Sequence, residues 1–150
     1  MKAIVYTKYG PPDVLHLEEV EKPSPRDEEV LVKVHAASIN AGDWHLLTGD
    51  PFLMRFMGVG LLTPKNPLFG SDMAGFVEAV GKKVKQFRPG DAVFGDIFWL
   101  GSGSFAEYVS VPENVLALKP SNISFEEAAA APLAAVTALQ GLRDRGQIQP

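Results

Sequence analysis

The chain has 150 residues, 46% of them hydrophobic and 21% charged, with 14 basic against 18 acidic side chains and a formal charge of −4 at neutral pH. Such a length predicts one domain that buries roughly 68–70% of the surface its unfolded form exposes; the composition excludes intrinsic disorder and gives no basic footprint for nucleic acid. Cysteine is absent, which excludes a disulfide framework, a thiolate nucleophile and a thiolate zinc site.

The opening MKAIVYTKYG alternates as a strand does and has no apolar run of the signal-peptide kind, which predicts a cytoplasmic chain. Strands are predicted over Lys2–Thr7, Val14–Val20 and Val30–Ile39, each bounded by Pro, Gly or Asp. Asp43–Leu47, after Asn40, Ala41 and Gly42, reads as one or two helical turns. The most apolar stretch, Pro51–Leu62, is too short to cross a bilayer and contains Arg55, so no membrane span is expected.

Met73–Val80, Ala92–Phe94, Phe105–Val111 and Val115–Leu118 continue the short-strand pattern at spacings that suit a small barrel or sandwich. Within the first of these, Met73, Gly75, Val77 and Ala79 share one face, and Ala74, Phe76, Glu78 and Val80 the other. Both faces are largely apolar, as in a barrel with something packed outside. Lys82, Lys83, Lys85 and Arg88 cluster just beyond, either as a solvated turn or sheet edge or as an anion site.

Near Ser121 alanine and leucine at helical spacing replace the β-branched residues, and a helix is predicted to begin. Ser124 with Glu127 makes a capping box, and the acidic first turn suits the helix dipole. Pro132 interrupts the run and is placed to open a second helix. Arg143 and Arg145 fall in its last turn, with Gly146 as the closing residue.

Two glycine-rich stretches invite a phosphate-binding reading. GFVEAVGKK lacks both the spacing of a P-loop and its Ser or Thr after the lysine. GSGSFA (101–106) has the spacing of a dinucleotide fingerprint, but EYVSVP follows it, and this β-branched, proline-ended run cannot open the helix that the pyrophosphate needs. Glycine's other uses, positive φ and tight turns between short strands, fit both stretches.

The segments FGSDMAGFVEAVG, VKQFRPGDAVFGD and GSFAEYVSVPENVLALKPSNISFEEAAAAPLAAVTALQGL, in that order and after the opening pattern through HAASINAGDWHLLTG, resemble the GroES-like catalytic domain of the medium-chain dehydrogenase/reductase superfamily. The likeness runs from Met1 to about Gly141. It implies a mainly β fold with C-terminal helices, a GroES-like partly open β-barrel. The nearest likeness is to the zinc-independent quinone oxidoreductase and enone-reductase branch: Asn40 stands where zinc-dependent members place a cysteine, and Ser71-Asp72 where they place a His-Glu pair. An amide, a hydroxyl and one carboxylate are poor zinc ligands, so no metal site is expected. His16, His35 and His45 read as surface residues of strands or helix.

The resemblance implies an NADP (or NAD) cofactor bound mainly by a Rossmann domain that this chain does not contain, a quinone or α,β-unsaturated carbonyl as the small-molecule substrate, and a homodimer of the longer protein. Asn40 and Asp43 then begin the helix beside the nicotinamide, Asn40 offering its amide and Asp43 orienting local backbone or capping the helix. Thr137 falls where family members place a threonine near the nicotinamide, or simply packs its helix on the barrel. Trp44, Phe52, Met54, Phe56 and Met57 are expected to line the substrate pocket, or to cover the barrel. The alternative from another class is a non-catalytic barrel module that binds a small hydrophobic ligand or a protein partner; the likeness to GroES is one of fold and implies no chaperonin.

Overall fold

The computed structural model describes residues 1–101 and 103–148; the side chain of Met57 lies outside the described part, as do Ser102 and the last two residues. The chain begins as an antiparallel ribbon of β1 (Lys2–Val5) and β2 (His16–Glu19), joined through a 3-10 turn at Pro12–Val14. Val14, predicted in the strand, belongs to that turn, because two consecutive prolines fix φ just ahead of it.

Five further strands form one antiparallel sheet in the order β6-β3-β4-β5-β7: β3 (Glu29–Ser38), β4 (Asp72–Val80), β5 (Ala92–Asp96), β6 (Tyr108–Pro112) and β7 (Leu116–Leu118). The sheet rolls until residues of both edge strands, Val111 of β6 and Leu116 of β7, share one core with Val30, Val32, Met73, Val77 and Val93. This is the partly open barrel expected. Bridges Ala3–Ala106 and Val5–Leu68 tie the ribbon to it, and Tyr6, Val14, Leu47 and Phe69 form a second cluster beneath.

The two faces of β4 separate as its alternation predicts. Met73 and Val77 enter the core, whereas Ala74 packs outward against Ala128 and Ala129 of α2 (Phe125–Ala129). The outer apolar face is therefore covered by a helix, and its alanines permit the close approach. Register shifts in the β3–β4 pair flank Val32 and His35, and the His35 ring lies against Phe125 at 4.6 Å between centroids.

α2 starts where its sequence directs: the Glu127 N–H donates to Ser124 Oγ at 3.1 Å and the Ser124 N–H to Glu127 Oε2 at 2.8 Å. Ser124→Ala should lower stability by about 1 kcal/mol, read as a shift of the chemical-denaturation midpoint with unchanged slope. Pro132 opens α3 (Pro132–Leu139), which continues into a wider π turn over Gln140–Arg145. Gly146 follows with φ −77°, so it ends the turn without the left-handed closure expected of it.

The lysine cluster sits in solvated turns. Lys83 lies 3.7 Å from Asp27 and 3.6 Å from Glu28, and the Lys85 and Gln86 N–H groups donate to Glu113. The GSGSFA stretch opens no helix among the described residues: Gly103 and Ser104 donate their N–H groups to the Gly70 carbonyl at 2.7 and 3.1 Å, and the chain runs on into β6. No helix among the described residues is long and apolar enough to cross a membrane.

Candidate active site

β3 ends at Ser38, and α1 (Ala41–Thr48) begins three residues later with Asn40 as its N-cap. Asp43 is the third helical residue and not the cap itself; its Oδ2 accepts from the Asn40 N–H at 2.8 Å. Its Oδ1 accepts from Ser71 Oγ at 2.6 Å, and both side chains are fully buried. Burial pushes the Asp43 carboxyl above its ordinary range, partly offset by these two hydrogen bonds. Asp43 thus spends both oxygens on protein groups and orients the start of α1.

The neighbouring Asp72, also fully buried, accepts from Asn40 Nδ2 at 3.1 Å and from the Leu133 N–H of α3 at 3.1 Å. Desolvation raises its carboxyl to about 6, opposed by the Leu133 and Asn40 bonds and assisted by the charges of Asp96 and Asp43. A carboxyl with a raised native pKa binds its proton more tightly folded than unfolded, so folding gains stability as pH falls. Asp72 should therefore add stability as pH falls from 6 to about 4, measured by urea denaturation as the difference between wild type and Asp72→Asn.

A cavity of about 350 Å³ opens beside this cluster, lined by Leu46 of α1, by Met54, Val59, Lys65 and Asn66 of the following loop, and by Tyr6, Phe98 and Trp99. Phe98 packs against the start of α1 so closely that a methyl group at Gly42 would lie 2.7 Å from its ring. Burial, with smaller contributions from Tyr9 and Asp43, raises the Tyr6 phenol to about 12 and keeps it a donor. The loop is anchored at the C-terminal end of α1, where Arg55 donates to the carbonyls of Gly49 and Thr48 and lies over the Tyr9 ring. Asn66 donates to the Gly101 carbonyl.

A second hollow, about 490 Å³, lies along α3 and is lined by Phe94, Asp96, Leu133, Val136, Thr137 and Gln140 among others. Trp99, itself largely exposed, lines both hollows.

Of the residues predicted for the site, Asn40 and Asp43 meet in one polar cluster, and Thr137 faces the α3 hollow. Met54 reaches the cavity. Phe52 and Phe56 stack edge to face at 5.4 Å and, like Trp44, are exposed and do not line it; Met57 cannot be placed because its side chain is not described. Sequence reasoning missed Phe98, Trp99 and Lys65. Phe98 and Trp99 carried one signal, two consecutive aromatics just after β5 in a stretch with no periodicity, and Lys65 carried none.

Fold and site together define the GroES-like domain of medium-chain dehydrogenases and reductases. The family model described as the alcohol dehydrogenase GroES-like domain matches residues 26–121, and the chain belongs to that family, in its quinone oxidoreductase-like branch. It is 43% identical over 153 residues to 2-methylene-furan-3-one reductase of Solanum lycopersicum, covering 97% of this chain and 38% of that protein. It is 41% identical over 149 residues to the chloroplastic NADPH-dependent alkenal/one oxidoreductase of Arabidopsis thaliana, covering 95% of this chain and 37% of that one. The quinone oxidoreductase of Coxiella burnetii superimposes with a TM-score of 0.85 at 34% identity, over 96% of this chain and 44% of its own. The chain thus spans about two-fifths of the length of these relatives.

Proposed function

We propose that this chain is the substrate-binding half of an NADPH-dependent oxidoreductase that reduces quinones or α,β-unsaturated carbonyl compounds without zinc. The observation that carries the reading is that Trp99 lines both hollows, which sets one suited to a flat cofactor ring next to an apolar cavity suited to a flat substrate. The names of the relatives support the same chemistry.

The α3 hollow fits the nicotinamide end of the cofactor: Phe94 and Trp99 give aromatic surface, while Thr137 and Gln140 supply hydroxyl and amide groups for a carboxamide. No described loop fits the pyrophosphate, since GSGSFA leads into a strand. A further cofactor domain would hold it. Val136, Leu139 and Leu142, about half exposed on α3 and the turn after it, give that domain apolar surface to cover. When bound, the cofactor supplies a hydride.

Residues of this chain orient the acceptor. Leu46, Met54, Val59 and Phe98 exclude water from the cavity, and the Tyr6 hydroxyl and Lys65 ammonium are two donors of its lining suited to meet a carbonyl oxygen gaining charge. Asn40, Ser71 and Asp72 form an oxygen- and amide-rich set without imidazole or thiolate, already bonded within the protein, which favours this donor role over a zinc Lewis acid.

The test is to express the gene's longest reading frame and follow NADPH absorbance with a quinone and with an α,β-unsaturated ketone. Turnover of either is expected, and turnover of neither would end the proposal. Asn40→Ala should lower kcat/KM about tenfold, the equivalent of one hydrogen bond of about 1.4 kcal/mol. Lys65→Met should lower it by a similar factor, with unchanged affinity for NADPH by fluorescence titration.

A further inference from the structure

α3 is fastened to the barrel by its first turn. Pro132 is its one buried residue, whereas Ala134 to Gln140 are exposed. Its N-cap position is Ala131, whose side chain can accept no hydrogen bond, so the first N–H groups of the helix lack a local partner.

A residue of β4 supplies one from outside the helix. Asp72 Oδ2 accepts from the Leu133 N–H at 3.1 Å, with Oδ1 at 3.3 Å. The negative charge lies at the positive end of the helix dipole, which strengthens the bond. The same Oδ2 also accepts from Asn40 Nδ2 at 3.1 Å. Thr137 lies four residues beyond Leu133, one turn along the same face of α3.

We infer that Asp72 is a positioning residue: its single buried carboxylate fixes α3, and with it Thr137, relative to Asn40, so that the two groups proposed to meet the nicotinamide keep a set spacing. The role of the spacing rests on the reading of Asn40 and Thr137 given above; the clamp itself rests on geometry alone. Two carboxylates face Asp72, Asp43 on α1 and Asp96 on β5. Their repulsion leaves the Asn40 and Leu133 hydrogen bonds to hold it.

Native-state amide exchange by NMR on this chain tests the clamp. In Asp72→Ala the amides of α3 should exchange at least tenfold faster while those of β3 and β4 keep wild-type rates, and the Asn40 side-chain NH₂ resonances should move. Asp72→Asn should show the same pattern at smaller size, and it decides the question alone should the alanine variant not fold. Unchanged α3 exchange, or equal acceleration throughout the barrel, would overturn the inference. In the longer protein, Asp72→Asn should raise KM for NADPH about tenfold and leave KM for the quinone unchanged; equal loss on both would also overturn it. A wild-type enzyme that oxidises no NADPH would remove the proposed function, yet the exchange pattern would still decide the clamp.

Discussion

Gly75→Ala is expected to cost about 3 kcal/mol or more of folding stability, enough to leave much of the chain unfolded at room temperature if the wild type is an ordinary domain. Gly75 sits in the middle of β4, paired with Val34 of β3 next to a register shift. A methyl group there would overlap the Lys33 carbonyl oxygen and crowd the Val34 Cα, both backbone atoms of the neighbouring strand. Backbone in a central pair has nowhere to move without breaking the ladder that holds Met73 and Val77 in the core. The measurement is a urea titration followed by tryptophan fluorescence, with Gly141→Ala as the control. Nothing lies within 4 Å of a methyl group at Gly141, so that variant should match the wild type or gain up to about 1 kcal/mol. Equal stabilities for the two variants would mean that β3 and β4 do not approach as described.

The contrast between these glycines shows what was legible in the sequence. Wherever a structural signal is local, it could be read directly: the Ser124–Glu127 capping box, Pro132 at the head of α3, and the two faces of β4 all stand as expected. Boundaries were displaced where a turn competed with a strand. Val14 went to a 3-10 turn, and the predicted strand at Phe105 begins only at Tyr108, because Phe105 bonds to Phe69 and packs beneath the ribbon. The helix at Asp43 begins earlier, at Ala41, since Asn40 and not Asp43 is the cap.

The site was legible only in part, for a related reason. Asn40 and Asp43 came from a motif, but what they bond to lies 32 and 28 residues away, at Asp72 and Ser71. The cavity wall comes from loops at 58–66 and 98–101, where no periodicity marks a side chain as inward. Asp72 looked like a replaced metal ligand, and its bond to Leu133, 61 residues on, has no local trace.

Asp43 shows how much of the site is internal support. Asp43→Ala should destabilise the chain by about 2–4 kcal/mol, combining about 1 kcal/mol for the lost capping interaction with the cost of leaving the Ser71 hydroxyl buried and unpaired. The first part follows from the 2.8 Å bond to the Asn40 N–H, the second from the 2.6 Å bond to Ser71 in a site with no exposure. Asp43→Asn keeps a carbonyl oxygen for one donor and turns an NH₂ group on the other, so it should fall between alanine and wild type. A double-mutant cycle with Ser71→Ala, read by urea denaturation, should return a coupling of about 0.5–3 kcal/mol, because each single change strands the other partner. If the two changes simply add, the bond contributes nothing and α1 is held by packing alone. A measured coupling would instead tie the placement of Asn40 to two groups that no solute reaches, one on α1 and one just ahead of β4. In that case Asp43→Asn should lower turnover in the longer protein through the position of Asn40, with no loss of a proton-transfer step and so no change in the shape of the pH–rate profile.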